Sequence, residues 1–220
     1  MVDAADSRHD GARSADDVRP PEGFAALLRR QAALQAEAET VMHELSLREC
    51  LGRLGRFEHI GSSRSGLMVW RDLDVAARCA DPATEEVLDA MRPALAHPGV
   101  REVIYAPQLG SPSPSGGPAD QRWYFVLRYE TAGGDPWKVD VSLWRLGDAR
   151  RDLYFDPDTL GRRLTDESRC HPLDQGRVAP PASYPEVVGA VEIYDAVLNH
   201  GVRAPAQFAA HLRARGLPVD

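Results

Sequence analysis

The apolar positions change period along the chain. From Gly23 to about Leu54, Leu27, Leu28, Leu34, Val41, Met42, Leu45, Leu47 and Leu51 recur at threes, fours and sevens. This spacing predicts helix, with a break near Leu45–Ser46. Phe57, His59 and Ile60 then end a short strand that runs into Gly61-Ser62-Ser63-Arg64-Ser65-Gly66, and residues 67–78 read as a second strand. Asp81 and Pro82 open a helix over about 83–95, with Asp81 as N-cap, Pro82 in the first helical position and Glu85 and Glu86 in the first turn. Strands are expected at 100–106, 123–130 and 136–145, and Gly133-Gly134-Asp135 marks a hairpin between the last two. Residues 108–121 are poor in apolar side chains and rich in Gly, Pro and Ser, a loop long enough to suggest function or mobility. A mixed connector with turns occupies 146–181. Two helices follow at about 185–199 and 204–215, the first closed by Asn199-His200-Gly201.

The order helix, strand, strand, helix, strand, strand, strand, helices is a mixed α/β (α+β) pattern. It lacks the regular alternation of a doubly wound fold. Residues 1–22 carry acids, arginines and small residues without an apolar face, and read as a disordered tail ending at Pro20-Pro21. The core is placed at 23–150, and the connector with the C-terminal helices at 151–220.

Composition narrows the function. The net charge of −7 weighs against a general nucleic-acid binder but leaves room for a local phosphate pocket. No stretch approaches the roughly 18 consecutive apolar residues of a membrane span. Cys50, Cys79 and Cys170 are too few and too scattered for a disulfide framework or a CxxC metal site, so they read as reduced thiols. With no secretory leader pattern at the start, a cytoplasmic protein is expected. Of 26 basic residues, Lys138 is the only lysine.

The chemistry concentrates in the strands. Asp72 and Asp74 flank Leu73, so both carboxylates point to one face of a strand, about 6.5–7 Å apart. Like charges so placed need a counter-cation, and hard oxygen ligands suit Mg²⁺. Asp140 lies mid-strand between Val139 and Val141, where a buried carboxylate would want a partner. If its strand neighbours the Asp72 strand, three acids converge. Lys138 should share a face with Asp140 and could neutralise it or touch a phosphate. Upstream, Gly61 permits close approach of a ligand, and Ser62 with nearby N–H groups could hold phosphate oxygens. Each feature alone also fits an ordinary turn or a solvated strand face; the combination is what is specific.

An apolar-Gly-Ser turn, a spacer, Asp-apolar-Asp-apolar and a later strand aspartate resemble the nucleotidyltransferase superfamily. That superfamily includes DNA polymerase beta, antibiotic nucleotidyltransferases and small bacterial enzymes. Gly61, Ser62 and Gly66 match the glycine-serine run of the small members. Arg64 sits one place earlier than their arginine, and Arg71 stands where many of them have serine before the first aspartate. The resemblance covers residues 56–76 firmly and 136–144 more loosely.

The resemblance implies a mixed sheet flanked by helices, with a C-terminal helical extension. It implies that Asp72, Asp74 and Asp140 are the catalytic residues and bind Mg²⁺, with Mn²⁺ as an alternative. Asp140 would act either as a metal ligand or as a base near the acceptor. Gly61 and Ser62 would bind the nucleotide's phosphates, and the residues themselves add Arg64 and Lys138 as nucleotide-binding candidates. The implied reaction moves a nucleoside monophosphate from an NTP to a hydroxyl and releases pyrophosphate. A small-molecule acceptor is expected, with a protein or a tRNA end as the alternative acceptor and a non-catalytic binding module as the alternative role. Neither a membrane nor a nucleic acid is an expected partner, and the chain is expected as a monomer or homodimer.

Other residues read more simply. His59 packs, with a functional role as the lesser reading; Trp123, Tyr124 and Tyr129 belong to the core, though one could stack on a base; Arg162 and Arg163 are solvated, with phosphate contact as the lesser reading; and Cys170-His171 lacks further metal ligands. Tyr184 and Tyr194 are lesser candidates for an acceptor pocket.

Overall fold

The structure is a computed structural model that describes residues 22–109, 121–145, 157–166, 169, 190–217 and 219. The expectations for the acidic tail, for most of the 108–121 loop, for Cys170, His171 and Tyr184, and for the start of the helix at 185 lie outside the described residues.

The leading helical pattern forms α1 (Glu22–Glu44) and α2 (Leu47–Gly52), broken at Ser46, which takes a left-handed conformation. Then come β1 (Gly55–Ile60), α3 (Gly61–Ser65), β2 (Asp72–Cys79), α4 (Thr84–Leu95), β3 (Val100–Gln108), β4 (Arg122–Glu130) and β5 (Pro136–Arg145). Beyond the sheet lie α5 (Pro157–Arg163), α6 (Ala190–Asn199) and α7 (Pro205–Ala214). The five strands form one mixed sheet in the order β1-β2-β5-β4-β3. Only the β2–β5 pair is parallel; the other neighbours are antiparallel.

Alternation along the strands divides the sheet into two faces. On one, Leu73, Val75 and Ala77 of β2, Val139, Val141 and Leu143 of β5, and Phe125 and Leu127 of β4 are buried with Leu45 from the break between α1 and α2, Leu47 and Leu51 of α2, and Val87 and Met91 of α4. Burying a side chain of this size contributes about 1.5–3 kcal/mol. The same alternation assigns Asp72, Asp74, Lys138, Asp140, Ser142 and Tyr124 to the opposite face. The apolar core thus fixes where the polar residues must stand.

Two local expectations change. Strand β2 begins at Asp72, not at residue 67, because the 61–66 run forms α3 and ends in Gly66 at positive φ. Leu67 and Met68 are buried while the chain crosses from that turn to the start of β2. Asp81 is not the N-cap of α4. Its φ is 52°, its carboxylate accepts a hydrogen bond from Arg145, and Ala83 occupies the cap. The Ala83 N–H instead donates to Glu86 Oε2 at 2.8 Å, which satisfies one of the free donors at the helix start. Pro93 lies inside the last turn of α4 and does not break it.

The connector contains a helix that its sequence pattern did not announce. Leu160 of α5 is buried, and α5 packs on α3. Arg169 donates to the carbonyls of Ser65, Gly66 and Gly161, tying the two helices together. Tertiary packing, not local periodicity, stabilises this short helix.

Candidate active site

Asp72 and Asp74 stand on β2 and Asp140 on β5. The parallel register places Asp74 directly opposite Asp140 and Asp72 opposite Lys138. One carboxylate oxygen from each of the three aspartates lies within 4.8 Å of the others. The convergence that the sequence made conditional on strand adjacency is present.

Three acids on a partly buried face are electrostatically costly. Asp74 is pushed up to about 7, chiefly by burial and then by the charges of Asp72 and Asp140. Asp72 is also raised by burial, while Lys138 pulls it the other way. Lys138 Nζ donates to Asp140 Oδ2 at 2.7 Å and lies 3.4 Å from both oxygens of Asp72. Burial disfavours the ammonium, but the hydrogen bond to Asp140 and the two carboxylate charges outweigh it and hold its pKa above the usual lysine range. Asp140 Oδ1 is buried without a hydrogen-bond partner. Leaving such an oxygen unsatisfied costs about 1–3 kcal/mol, more if charged. Three hard oxygen donors, one of them orphaned, fit a divalent cation such as Mg²⁺.

The Gly-Ser turn borders this cluster. Ile60 pairs with Asp74, so Gly61 starts α3 beside the Asp74 side chain. Gly61 has φ 70°, and a Cβ there would run into the Asp74 carboxylate. Both observations require glycine. Ser62 follows on the same first turn, partly exposed.

Arg64 is placed elsewhere. It lines an open pocket of about 370 Å³ with Gln35, Ser65, Gly66, Gly161, Arg162 and Arg169, and none of the three aspartates lines it. Arg162 belongs to this pocket, while Arg163 donates to Asn199 on α6.

Several contributors were not legible beforehand. Tyr124, read as core, stands on the acidic face; burial and the adjacent Asp140 push its hydroxyl up to about 12. Only the β4–β5 register, which pairs Tyr124 with Ser142 and Val126 with Asp140, brings it there. Trp70 hydrogen-bonds Asp72. Arg71 pairs with Glu37 at 2.9 Å and Asp135 at 3.1 Å. It thereby links α1 to the β4–β5 hairpin one residue before Asp72. His59 does more than pack: its Nε2 lies 2.8 Å from Ser63 Oγ, and its Nδ1 lies 3.5 Å from Glu39. Gln35 donates to the Ser63 carbonyl at 2.6 Å. These contacts fasten α3, and with it Gly61 and Ser62, to α1 and β1.

No family model matches the chain, and no curated protein does. Among solved structures, that of a cytoplasmic RNA terminal U-transferase is similar at 16% identity with a TM-score of 0.42, over 70% of this chain and 46% of that one. The chain therefore spans about half the length of this structural relative. A mixed sheet brings the Asp-x-Asp strand and a third aspartate together beside the Gly-Ser turn.

Proposed function

We propose that this protein is a metal-dependent nucleotidyltransferase, moving a nucleoside monophosphate from an NTP to a hydroxyl of a small-molecule acceptor. The observation that carries the reading is the register of Asp74 against Asp140, with Asp72 alongside and one Asp140 oxygen buried and unpaired.

Asp72, Asp74 and Asp140 would hold one or two Mg²⁺ ions. The bound metal would supply charge stabilisation for the attacking and leaving oxygens of the triphosphate. The chain's own groups divide the remaining work. Gly61 and Ser62 hold the β- and γ-phosphates at the start of α3, where the absent Cβ lets phosphate and Asp74 approach together. Lys138 offsets part of the carboxylate charge before substrate arrives and can turn to a phosphate oxygen afterwards. As the alternative to ligating the metal, Asp140 would accept the proton of the acceptor hydroxyl. The acceptor oxygen bonds to the α-phosphorus as the bond to the β-phosphate oxygen breaks, and pyrophosphate leaves. The contribution is mainly position and charge.

The charge of −7 favours a cationic small molecule over an RNA acceptor, since phosphate contacts dominate nucleic-acid affinity. The test is thermal unfolding with each NTP, with and without Mg²⁺, for wild type and for Asp72→Asn/Asp74→Asn. A Mg²⁺-dependent rise with one NTP, lost in the double variant, is expected and names the donor. Pyrophosphate release with candidate acceptors then follows. Absence of any nucleotide shift in the wild type would contradict the proposal and favour a non-catalytic module.

A further inference from the structure

A second group of metal-binding side chains lies outside the acidic site, on the C-terminal helix pair. Asp195 belongs to α6, His200 follows its last residue, and His211 belongs to α7. One ligand atom from each lies within 4.8 Å of the others. His200 Nε2 is 3.4 Å from Asp195 Oδ2. That is close to the edge of a tetrahedron around a metal with ligands at about 2.0–2.1 Å. The two imidazole rings lie close, with centroids 4.7 Å apart and planes tilted by 46°.

The carboxylate is held in position by its other oxygen. Asn199 Nδ2 donates to Asp195 Oδ1 at 2.7 Å, and Arg163 of α5 donates to Asn199 Oδ1 at 2.8 Å. A fixed outer oxygen with the inner oxygen aimed at histidine is the arrangement in which outer partners orient metal ligands. A positive group already sits at the convergence: Arg215 Nη1 is 2.6 Å from Asp195 Oδ2 and 3.5 Å from His211 Nε2. The Arg215 side chain is half-exposed, so it can swing aside into solvent.

We propose that Asp195, His200 and His211 form a site for a divalent transition metal of the Zn²⁺ class, separate from the Mg²⁺ site on the sheet and independent of the nucleotidyltransferase reading. Two imidazoles and one carboxylate select Zn²⁺, Ni²⁺ or Co²⁺ over Mg²⁺ and Ca²⁺, which take oxygen ligands. Three protein ligands leave a fourth position for water or for a ligand atom of a bound molecule. The bound ion clips α7 to α6 across the turn that begins at His200. Arg215 is the resident counter-ion that the metal displaces.

The test titrates the full chain with Zn²⁺ against a chromophoric chelator, and with Co²⁺ by visible absorption. One Zn²⁺ per chain is expected, with a tetrahedral Co²⁺ spectrum and a raised melting temperature, none of it competed by excess Mg²⁺. His200→Ala and His211→Ala should each weaken binding at least tenfold. Asn199→Ala, which frees the outer oxygen, should weaken it about tenfold. Arg215→Met should tighten binding, a direction that a solvated ion-pair cluster does not foresee. Asp72→Asn/Asp74→Asn should leave Zn²⁺ binding unchanged. Circular dichroism without metal checks that each variant folds. The proposal is overturned if the His200→Ala/His211→Ala double variant, still folded, binds Zn²⁺ as wild type does, or if wild type gives no tetrahedral Co²⁺ signal.

Discussion

Lys138 Nζ lies 2.7 Å from Asp140 Oδ2 and reaches across the β2–β5 pair to Asp72 at 3.4 Å. The only lysine of the chain is thus the counter-ion of the acidic cluster. Replacing it with methionine should lower metal-free stability at pH 8 by about 1 kcal/mol, after discounting for its exposure. Mg²⁺ should restore most of the loss. Calorimetry with and without Mg²⁺ reads both effects, and an unchanged metal-free melting temperature would rule out this role.

The raised Asp74 gives a pH signature. Its folded value of about 7 lies above the ordinary carboxylate value, so between these limits the folded state holds a proton that the unfolded chain has released. The stability this contributes is fully present below about pH 4 and is lost as pH rises through about 7. Asp74→Asn removes the effect, so its stability relative to metal-free wild type should improve from pH 5 to pH 8. Mg²⁺ must displace the proton, so its affinity for wild type should rise from pH 6 to pH 8. Urea unfolding and Mg²⁺ titration at several pH values check the two trends.

For the Asp72→Asn/Asp74→Asn pair, the loss should be specific to ligand. At a hundredfold excess of nucleotide over its Kd, wild type gains about 2.7 kcal/mol by mass action. The double variant should gain none in Mg²⁺, while its metal-free fold persists because both side chains lie on the face away from the core. Differential scanning calorimetry separates these results.

Gly61→Ala should be costly in two ways. The positive φ alone penalises a Cβ by about 1–2 kcal/mol, and the Cβ would also displace the Asp74 carboxylate. The expected outcome is a modest fall in melting temperature with loss of the Mg²⁺-dependent nucleotide shift. A variant with full nucleotide response would show that the close approach of Gly61 to Asp74 is not needed.

Ser63→Ala tests the fastening of α3. The Ser63 hydroxyl is buried against His59 Nε2 at 2.8 Å, and removing it leaves the ring nitrogen unpaired. A loss of about 1–3 kcal/mol in urea unfolding is expected.

The sequence by itself determined much of the sheet and the residues of the acidic site. Alternation in 136–145 required Lys138 and Asp140 to share a face opposite Val139 and Val141, and Leu73 between two aspartates required the same of Asp72 and Asp74. Period-two geometry is local, so it could be read without a partner strand. Only the tertiary structure decided that β5 lies parallel beside β2 with Asp74 opposite Asp140, because register depends on which strands meet and on the whole buried face. It also decided that Arg64 turns to a pocket with Arg162 and Arg169, that Tyr124 joins the acids, and that residues 67–71 leave the strand. The helix α5 and the meeting of Asp195 with His200 and His211 escaped a reading by periodicity for the same reason. Packing between distant segments creates them, and no local spacing encodes it.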